Sequence, residues 1–387
     1  MRILVYTTQI RFPGGYENLA LTLAETLDRR SIPVFLLSHY SADFVIEGDR
    51  CPPRDLHPDL PAHHLGVPTK PSLWDVARAA VRLRRIVRTL RIDAIEVSGR
   101  GPSVLAILAT LGMGIRVIVG VHAVASSPGR TAAGYWLWRM ICTLSRSVCF
   151  FGVSQAASMA WLRFTSCSSD RVTTVYNSIN EQFFLPTESC RDLIRKELGC
   201  TRRDRVVLCV GRLLVSKGQI TVAQALLPIL VEHNLRLVFV GRKDTEPGDD
   251  GSRISQLVEG VAAGPLHDRV SFIGTRQDMP HIMGAADFLV HVPSNEAFGL
   301  VVAEAMAVGL PIIATNIGGI PEVVAGTDTI LVPPEDPLAL RNAFLECLAW
   351  SDERRAECIR KGRERAMDFH PDRRADQILA LLQGSRH

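Results

Sequence analysis

The chain has 387 residues, 47% of them hydrophobic and 22% charged, an ordinary globular balance that excludes a disordered or fibrous protein and leaves room for two or three domains at roughly 100–200 residues each. Its formal charge of +4 is too small to imply nucleic acid as a partner. The nine cysteines are odd in number and form no CxxC pair, so they read as thiols of a reducing compartment, neither a disulfide framework nor a zinc site.

In chain order, Met1-Arg2-Ile3-Leu4-Val5-Tyr6 is too brief for a signal peptide and reads as a first strand, Ile3–Tyr6. Phe12-Pro13-Gly14-Gly15-Tyr16-Glu17-Asn18 joins it to a helix on which Leu19, Leu23 and Leu27 fall on one face. The Gly-Gly turn permits close approach to an anion, but it is not GxGxxG and no acid marks a dinucleotide ribose. Ala42 to Ser72, with six prolines, is the longest irregular stretch. Further strands are expected at Val34–Leu37, Ile92–Val97, Arg116–Val121 and Val148–Val153. The apolar run Val104 to Val121 is broken by Gly112, Gly114 and Arg116, which favours a buried helix (103–112) and a strand over a membrane span. His122 ends that strand; a lone histidine there is as readily structural as functional. Asn177 is on its own merits a turn residue.

Polar residues take over around 180–205, the expected inter-domain region. Strands then return at Val206–Val210, Leu235–Val240, Val270–Ile273, Phe288–Val292 and Ile312–Thr315, three of them ending in Gly211, Gly241 and Gly274. A glycine after a parallel strand lets the backbone come close to a ligand at the carboxyl edge. Short apolar runs alternating with helical stretches predict an α/β protein of two doubly wound parallel-sheet domains facing each other across a cleft.

Two constellations carry chemistry. Arg212 and Lys217 follow a strand end within six residues, a planar fork and a point charge suited to a diphosphate. Glu296-Ala297-Phe298-Gly299-Leu300-Val301-Val302-Ala303-Glu304 sets two carboxylates seven residues apart around a helix start. Free N–H groups there form an anion site, and the carboxylates can accept from sugar hydroxyls. The plainer reading is a capping Glu296 and an exposed Glu304, but Glu304 lies in an otherwise apolar helix. No GxxxxGK[ST], HExxH or GxSxG occurs, nor a DxD that would hold a metal-bound sugar nucleotide; Asp249-Asp250 reads as a turn.

Gly-Arg-Leu…Lys-Gly at 211–218, Glu-x7-Glu at 296–304 and Gly318-Gly319-Ile320-Pro321-Glu322 resemble glycosyltransferase family 4, retaining enzymes of the GT-B fold that use nucleotide-sugar donors without a metal. The resemblance implies an N-terminal acceptor-binding Rossmann-like domain (1–182), a C-terminal donor-binding Rossmann-like domain (183–365) and a C-terminal helix (366–387) that crosses back to the first. It implies a diphosphate held by Arg212 and Lys217, a ribose by Glu304 and sugar hydroxyls by Glu296. Backbone amides of Ala297, Phe298, Gly299, Leu300 and Val301 would lie around phosphate and sugar. Gly14 and Gly15 would close over the phosphates, Gly241 would border the donor, and Arg276 would lie near the nucleobase. His122 matches the family's histidine near the transferred sugar, and Tyr16 and Asn177 fall on the acceptor side; Asn177-Ser178 stands where Asn-Gly is commoner. The expected reaction is metal-independent, retaining transfer of a hexosyl group from a UDP- or GDP-sugar, with His122, Glu296, Arg212 and Lys217 at the reacting centre. No cofactor is expected.

The acceptor is less constrained. Arg78, Arg82, Arg84, Arg85, Arg88 and Arg91 share a stretch with apolar Ala77, Ala80, Val81, Leu83 and Val87. Such a helix can dock on anionic lipid or simply pack, solvated, on a sheet. One expectation is a cytoplasmic enzyme, peripheral at the inner membrane face, building an envelope polysaccharide or lipid-linked glycan. The others are a soluble enzyme decorating a small natural product and a nucleotide-sugar epimerase or hydrolase on the same fold; a non-catalytic binding module is disfavoured by the intact Glu296, Lys217 and Glu304.

Overall fold

The computed structural model describes residues 1–10, 15–41, 60–123, 140, 148–165, 167–243 and 252–384. Asp249-Asp250, Cys51, Cys142 and Gly14 lie outside them. The chain gathers into two compact units, Met1–Ser178 with Pro371–His387, and Ile179–His370.

The first unit is built on seven parallel strands: β1 (Ile3–Thr7), β2 (Val34–Ser38), β3 (Ala62–His64), β4 (Ala94–Ser98), β5 (Arg116–Val121), β6 (Val148–Gly152) and β7 (Val172–Thr174). Their order is β3-β2-β1-β4-β5-β6-β7. Strands β1 and β4 are buried along their whole length, because helices cover both faces of a parallel sheet and leave no solvent side for alternation. The helices described between them are α1 (Gly15–Arg29), α2 (Leu73–Thr89), α3 (Arg100–Thr110) and α4 (Gln155–Thr165). A capping box fixes the start of α2: Ser72 Oγ accepts from the Asp75 amide while the Asp75 carboxylate accepts from the Ser72 amide. The run from Val104 to Val121 divides between α3 and β5, and no described helix is long and apolar enough to cross a membrane.

The second unit carries six parallel strands, β8 (Arg205–Val210), β9 (Leu235–Val240), β10 (Val270–Phe272), β11 (Phe288–His291), β12 (Ile312–Thr315) and β13 (Ile330–Val332), ordered β10-β9-β8-β11-β12-β13. Its helices are α5 (Arg191–Glu197), α6 (Gln219–Leu226), α7 (Ser252–Ala263), α8 (Met279–Ala285), α9 (Leu300–Val308), α10 (Ile320–Val323), α11 (Pro337–Leu348) and α12 (Asp352–Ala366). The last helix, α13 (Pro371–Gln383), returns to the first unit, where Ala375, Ile378 and Leu382 join the core beneath β1, β2 and α1.

Two expectations are corrected. The stretch 42–72 is not wholly irregular, since Ala62–His64 pairs with β2 through Leu36, Leu37 and Ser38. Arg91 lies past the end of α2, in a turn with φ of 51°, so it is not part of the basic helix. The described cysteines are all free thiols, with Cys209, Cys347 and Cys358 buried.

Candidate active site

Each sheet has a point where its strand order reverses, between β1 and β4 in the first and between β8 and β11 in the second. There the loops leaving the carboxyl ends diverge and open a crevice, the place where open α/β sheets bind ligands.

In the second unit the two loops at this point are stitched together. The Ser294 amide donates to the Ser216 carbonyl at 2.9 Å, and a Cβ on Gly218 would stand 2.1 Å from the Val292 carbonyl oxygen. Only a glycine lets these backbones approach so closely, and its φ of 80° is itself outside the usual range of other residues. The approach delivers Lys217, whose Nζ donates to Glu296 Oε2 at 2.9 Å. His291 Nε2 stands 3.6 Å from the same oxygen, and Glu296 Oε1 accepts from the Ala297 amide at 3.1 Å. Burial works against the Glu296 charge, but His291 and Lys217 outweigh it and hold the carboxyl well below the usual range. The Glu296 carbonyl accepts from the Gly319 amide at 3.2 Å, so the Gly318-Gly319 turn supports the loop from behind.

Gly299 caps α9 with no side-chain hydrogen bond, leaving the Leu300 and Val301 amides, as the first of the helix, without intrahelical partners. Both residues are half-buried. Phe298 is different: its ring is buried edge-on against Phe369, centroids 5.3 Å apart, so only its backbone can meet a ligand. Glu304 lies one turn along α9, about 6 Å down the axis from Leu300. It is half-buried, and burial pushes its carboxyl up to about 7.

Arg212 is exposed, just past β8. Its carbonyl accepts from the buried Gln219 Nε2 at 2.8 Å, which fixes the backbone and leaves the side chain outside. Gly241 ends β9 with a φ of 144°, and a Cβ there would stand 1.9 Å from the Gly211 oxygen; its amide donates to the Gly274 carbonyl at 2.8 Å. Arg276 is committed to Asp278 at 2.8 Å and to Glu197, so any base it met would share that guanidinium with two carboxylates.

In the first unit the corresponding edge carries His122, Tyr16 and Asn177. His122 Nε2 stands 3.0 Å from Ser98 Oγ at the end of β4. Ser98 Oγ reaches Glu96 Oε1 at 3.2 Å, and Arg374 of α13 stands 3.9 Å from that oxygen. Burial, together with the Arg374 charge, lowers the His122 pKa to about 3, so the ring is neutral. Tyr16, in the first turn of α1 after Gly15, lays its ring 5.5 Å from that of His122, and its hydroxyl meets Thr8 Oγ1 at 3.1 Å. Burial and the neighbouring Glu17 raise the Tyr16 pKa. Asn177 is buried, its Oδ1 without a hydrogen-bond partner among the described residues.

Sequence reasoning missed four participants. His291, Glu96 and Ser98 each had a signal, a polar residue inside an otherwise apolar strand; Arg374 had none, being one of two adjacent arginines near the start of the last helix.

Residues 204–349 match the family model for glycosyl transferases group 1, and residues 13–183 match that for glycosyltransferase family 4. Among curated proteins, the chain is 32% identical over 158 residues to an N-acetyl-alpha-D-glucosaminyl L-malate synthase of Bacillus anthracis, covering 41% of this chain and 39% of that protein. It is 32% identical over 221 residues to a D-inositol 3-phosphate glycosyltransferase of Corynebacterium efficiens, covering 55% and 50%. The matched region thus spans half or less of these relatives' own length. Among solved structures, HepE of Anabaena in complex with UDP and glucose superposes with a TM-score of 0.81 at 21% identity over 99% of both chains, a likeness of fold.

Proposed function

The chain belongs to the group 1 glycosyltransferases of the family 4 type, with the GT-B fold, and from that premise we propose that it moves a hexosyl group from a nucleoside-diphosphate sugar to a hydroxyl acceptor with retention and without a metal. The observation that carries the reading is the Lys217–Glu296 pair beside the start of α9 at the switch point of the second sheet. An ammonium has three N–H donors, so the bond to Glu296 leaves two for phosphate oxygens. As the bond from the anomeric carbon to the β-phosphate oxygen breaks, negative charge grows on that phosphate. Lys217, Arg212 and the first amides of α9 would stabilise it, the task a divalent cation performs elsewhere. The acceptor oxygen attacks from the face the phosphate is leaving, and the departing phosphate oxygen takes the acceptor's proton. Glu296 then holds sugar hydroxyls and need not act as a covalent nucleophile, while Glu304 accepts from the ribose.

A UDP-sugar is the first donor to try, because the solved structures of HepE hold UDP and UDP-glucose; a GDP-sugar is the second. For the acceptor, the exposed basic face of α2 favours a lipid-linked or polysaccharide glycan at an anionic membrane surface over a small natural product. The test is product formation from a panel of nucleotide sugars and acceptors, followed by mass spectrometry. Lys217→Ala is expected to lose transfer by about two orders of magnitude or more, with wild-type turnover unchanged by EDTA. Near-wild-type turnover of the variant would overturn the assignment, and nucleotide release or epimerised donor without any acceptor would move it to a hydrolase or epimerase.

A further inference from the structure

The carboxyl edge of the first sheet holds a buried polar chain that the transfer reading does not use. Glu96 lies in the middle of β4, fully buried. Its Oε1 receives Ser98 Oγ at 3.2 Å, and its Oε2 has no hydrogen-bond partner among the described residues. Arg374, 3% exposed, faces Oε1 at 3.9 Å and also leaves its Nε unpartnered. Burial pushes the Glu96 carboxyl up while the facing Arg374 and the Ser98 hydroxyl pull it back down, and as an ion pair the two groups, each incompletely hydrogen-bonded among the described residues, are costly to keep and more costly to break singly. Replacement of both by apolar residues would be neutral or stabilising in many folds, so a role beyond stability is indicated.

Proton counting supplies one. A serine hydroxyl has a single proton to give. With Arg374 opposite, Glu96 is the stronger acceptor available, and a buried carboxylate that lost this bond would keep only a guanidinium 3.9 Å away. With Glu96 ionised opposite Arg374, Ser98 donates to Glu96, and its oxygen accepts from His122 Nε2 at 3.0 Å. The sheet is shaped for this contact. Gly120 pairs with Ser98 across β4 and β5, and a Cβ on it would stand 2.6 Å from Ser98 Oγ and 2.8 Å from His122 Nε2. The Tyr16 and Phe151 rings flank the imidazole, and among the described residues the titratable or charged groups linked to it are Arg374, Tyr16 and, through Ser98, Glu96.

We propose that Glu96 and Ser98 are positioning residues that lock His122 as the neutral Nε2–H tautomer, so that Nδ1 always presents a lone pair and accepts a hydrogen bond from a hydroxyl of the bound sugar. This rests on the transfer reading for its consequence, but not for its tautomer. A histidine free to change tautomer would offer that hydroxyl a donor part of the time; the relay removes the wrong half of the population before substrate arrives.

The test is side-chain 15N NMR of protein labelled at histidine, with His122 assigned from His122→Ala, alongside steady-state kinetics of Ser98→Ala and Glu96→Gln. The wild type should show the Nε2–H signature, and Ser98→Ala should show mixed tautomers with an unchanged circular dichroism spectrum. Transfer by Ser98→Ala should fall on the order of 10- to 100-fold in kcat with donor KM little changed, and Ser98→Thr should restore most of it. Glu96→Gln, whose amide can donate to Ser98, should shift the tautomer toward Nδ1–H. A wild-type Nδ1–H signature overturns the relay whatever the kinetics show. A changed tautomer with unchanged kcat overturns its part in transfer. If the wild type moves no sugar at all, the transfer reading falls, and the imidazole signature alone decides the relay.

Discussion

Glu296 and Glu304 flank the same helix start and meet opposite fates. Glu296 lies against Lys217 and His291 and keeps its charge easily; Glu304 is half-buried, no charged partner among the described residues offsets its loss of water, and its carboxyl rises to about 7. The spacing of the two acids is legible in the sequence, but this difference is not, because the lysine that creates it comes from 79 residues away. Linkage turns the Glu304 shift into a stability statement. The folded protein binds its proton up to about 7 and the unfolded chain only to 4.5, so stability falls as pH rises between those values and stays lower above them. The loss is on the order of 3 kcal/mol, at 1.36 kcal/mol per unit. Glu304→Gln carries no such cost. Urea unfolding should find the variant close to wild type at pH 4.5 and more stable by up to about 3 kcal/mol at pH 8. A difference independent of pH would show that Glu304 is solvated in the folded protein, with its proposed hydroxyl-binding role then resting on geometry alone.

At the level of elements, the apolar runs located ten strands to within two residues at their ends, the three-residue edge strand β10 among them, and failed at β3, β7 and β13. Each of those has three residues and closes one edge of a sheet. Ala62-His63-His64 has no β-branched or aromatic run to announce it; its pairing with β2 makes it a strand. Helix α2 was legible in composition and not in use. Arg82 donates to the Leu65 carbonyl at 3.0 Å, and Arg84 to the carbonyls of Ala109 and Leu111 at 3.0 and 2.9 Å, so two of its arginines fasten the fold. Arg78, Arg85 and Arg88 are exposed along the same face as Trp74, 80% exposed, and Val81, 63% exposed. An indole and three guanidinium groups in one stripe suit the headgroup region of an anionic bilayer, at about 1 kcal/mol per cation. Vesicles containing phosphatidylglycerol should therefore bind the protein, blue-shift the Trp74 emission and lose it as salt rises. Changing Arg78, Arg85 and Arg88 together to Glu should weaken binding by on the order of 100-fold. Equal binding to neutral vesicles would overturn the role of the arginine stripe, and binding to neither kind would remove the membrane from the acceptor argument and favour a soluble acceptor.

At the scale of the molecule, the first unit is not a continuous stretch of chain. Its sheet ends before residue 179, and its core is finished by a helix that begins at Pro371. His370-Pro371 marks the start of that helix in the sequence, but the residues alone say nothing of what it packs against, since the partners lie some hundreds of residues earlier. Ion pairs from Arg30 to Asp372 and Asp376, both 2.6 Å, fasten its first turns, yet at partly exposed sites each contributes about 1 kcal/mol or less. Burial matters more. Ile378 and Leu382 are nearly or fully covered, at roughly 1.5–3 kcal/mol each, and Arg374 is the counter-charge of Glu96. A chain ending at His370 would thus lose about 5 kcal/mol and leave a buried carboxylate unpaired, a loss comparable with the whole stability of many domains. Hydrogen exchange on that truncated protein should find β1, β4 and β5 unprotected while β8, β9 and β11 keep their protection, because the second unit retains every residue of its core. Loss of protection in both sheets alike would mean that the units fold as one cooperative body, and full protection in both would mean that α13 is an ornament of the first unit and Glu96 is held by other means.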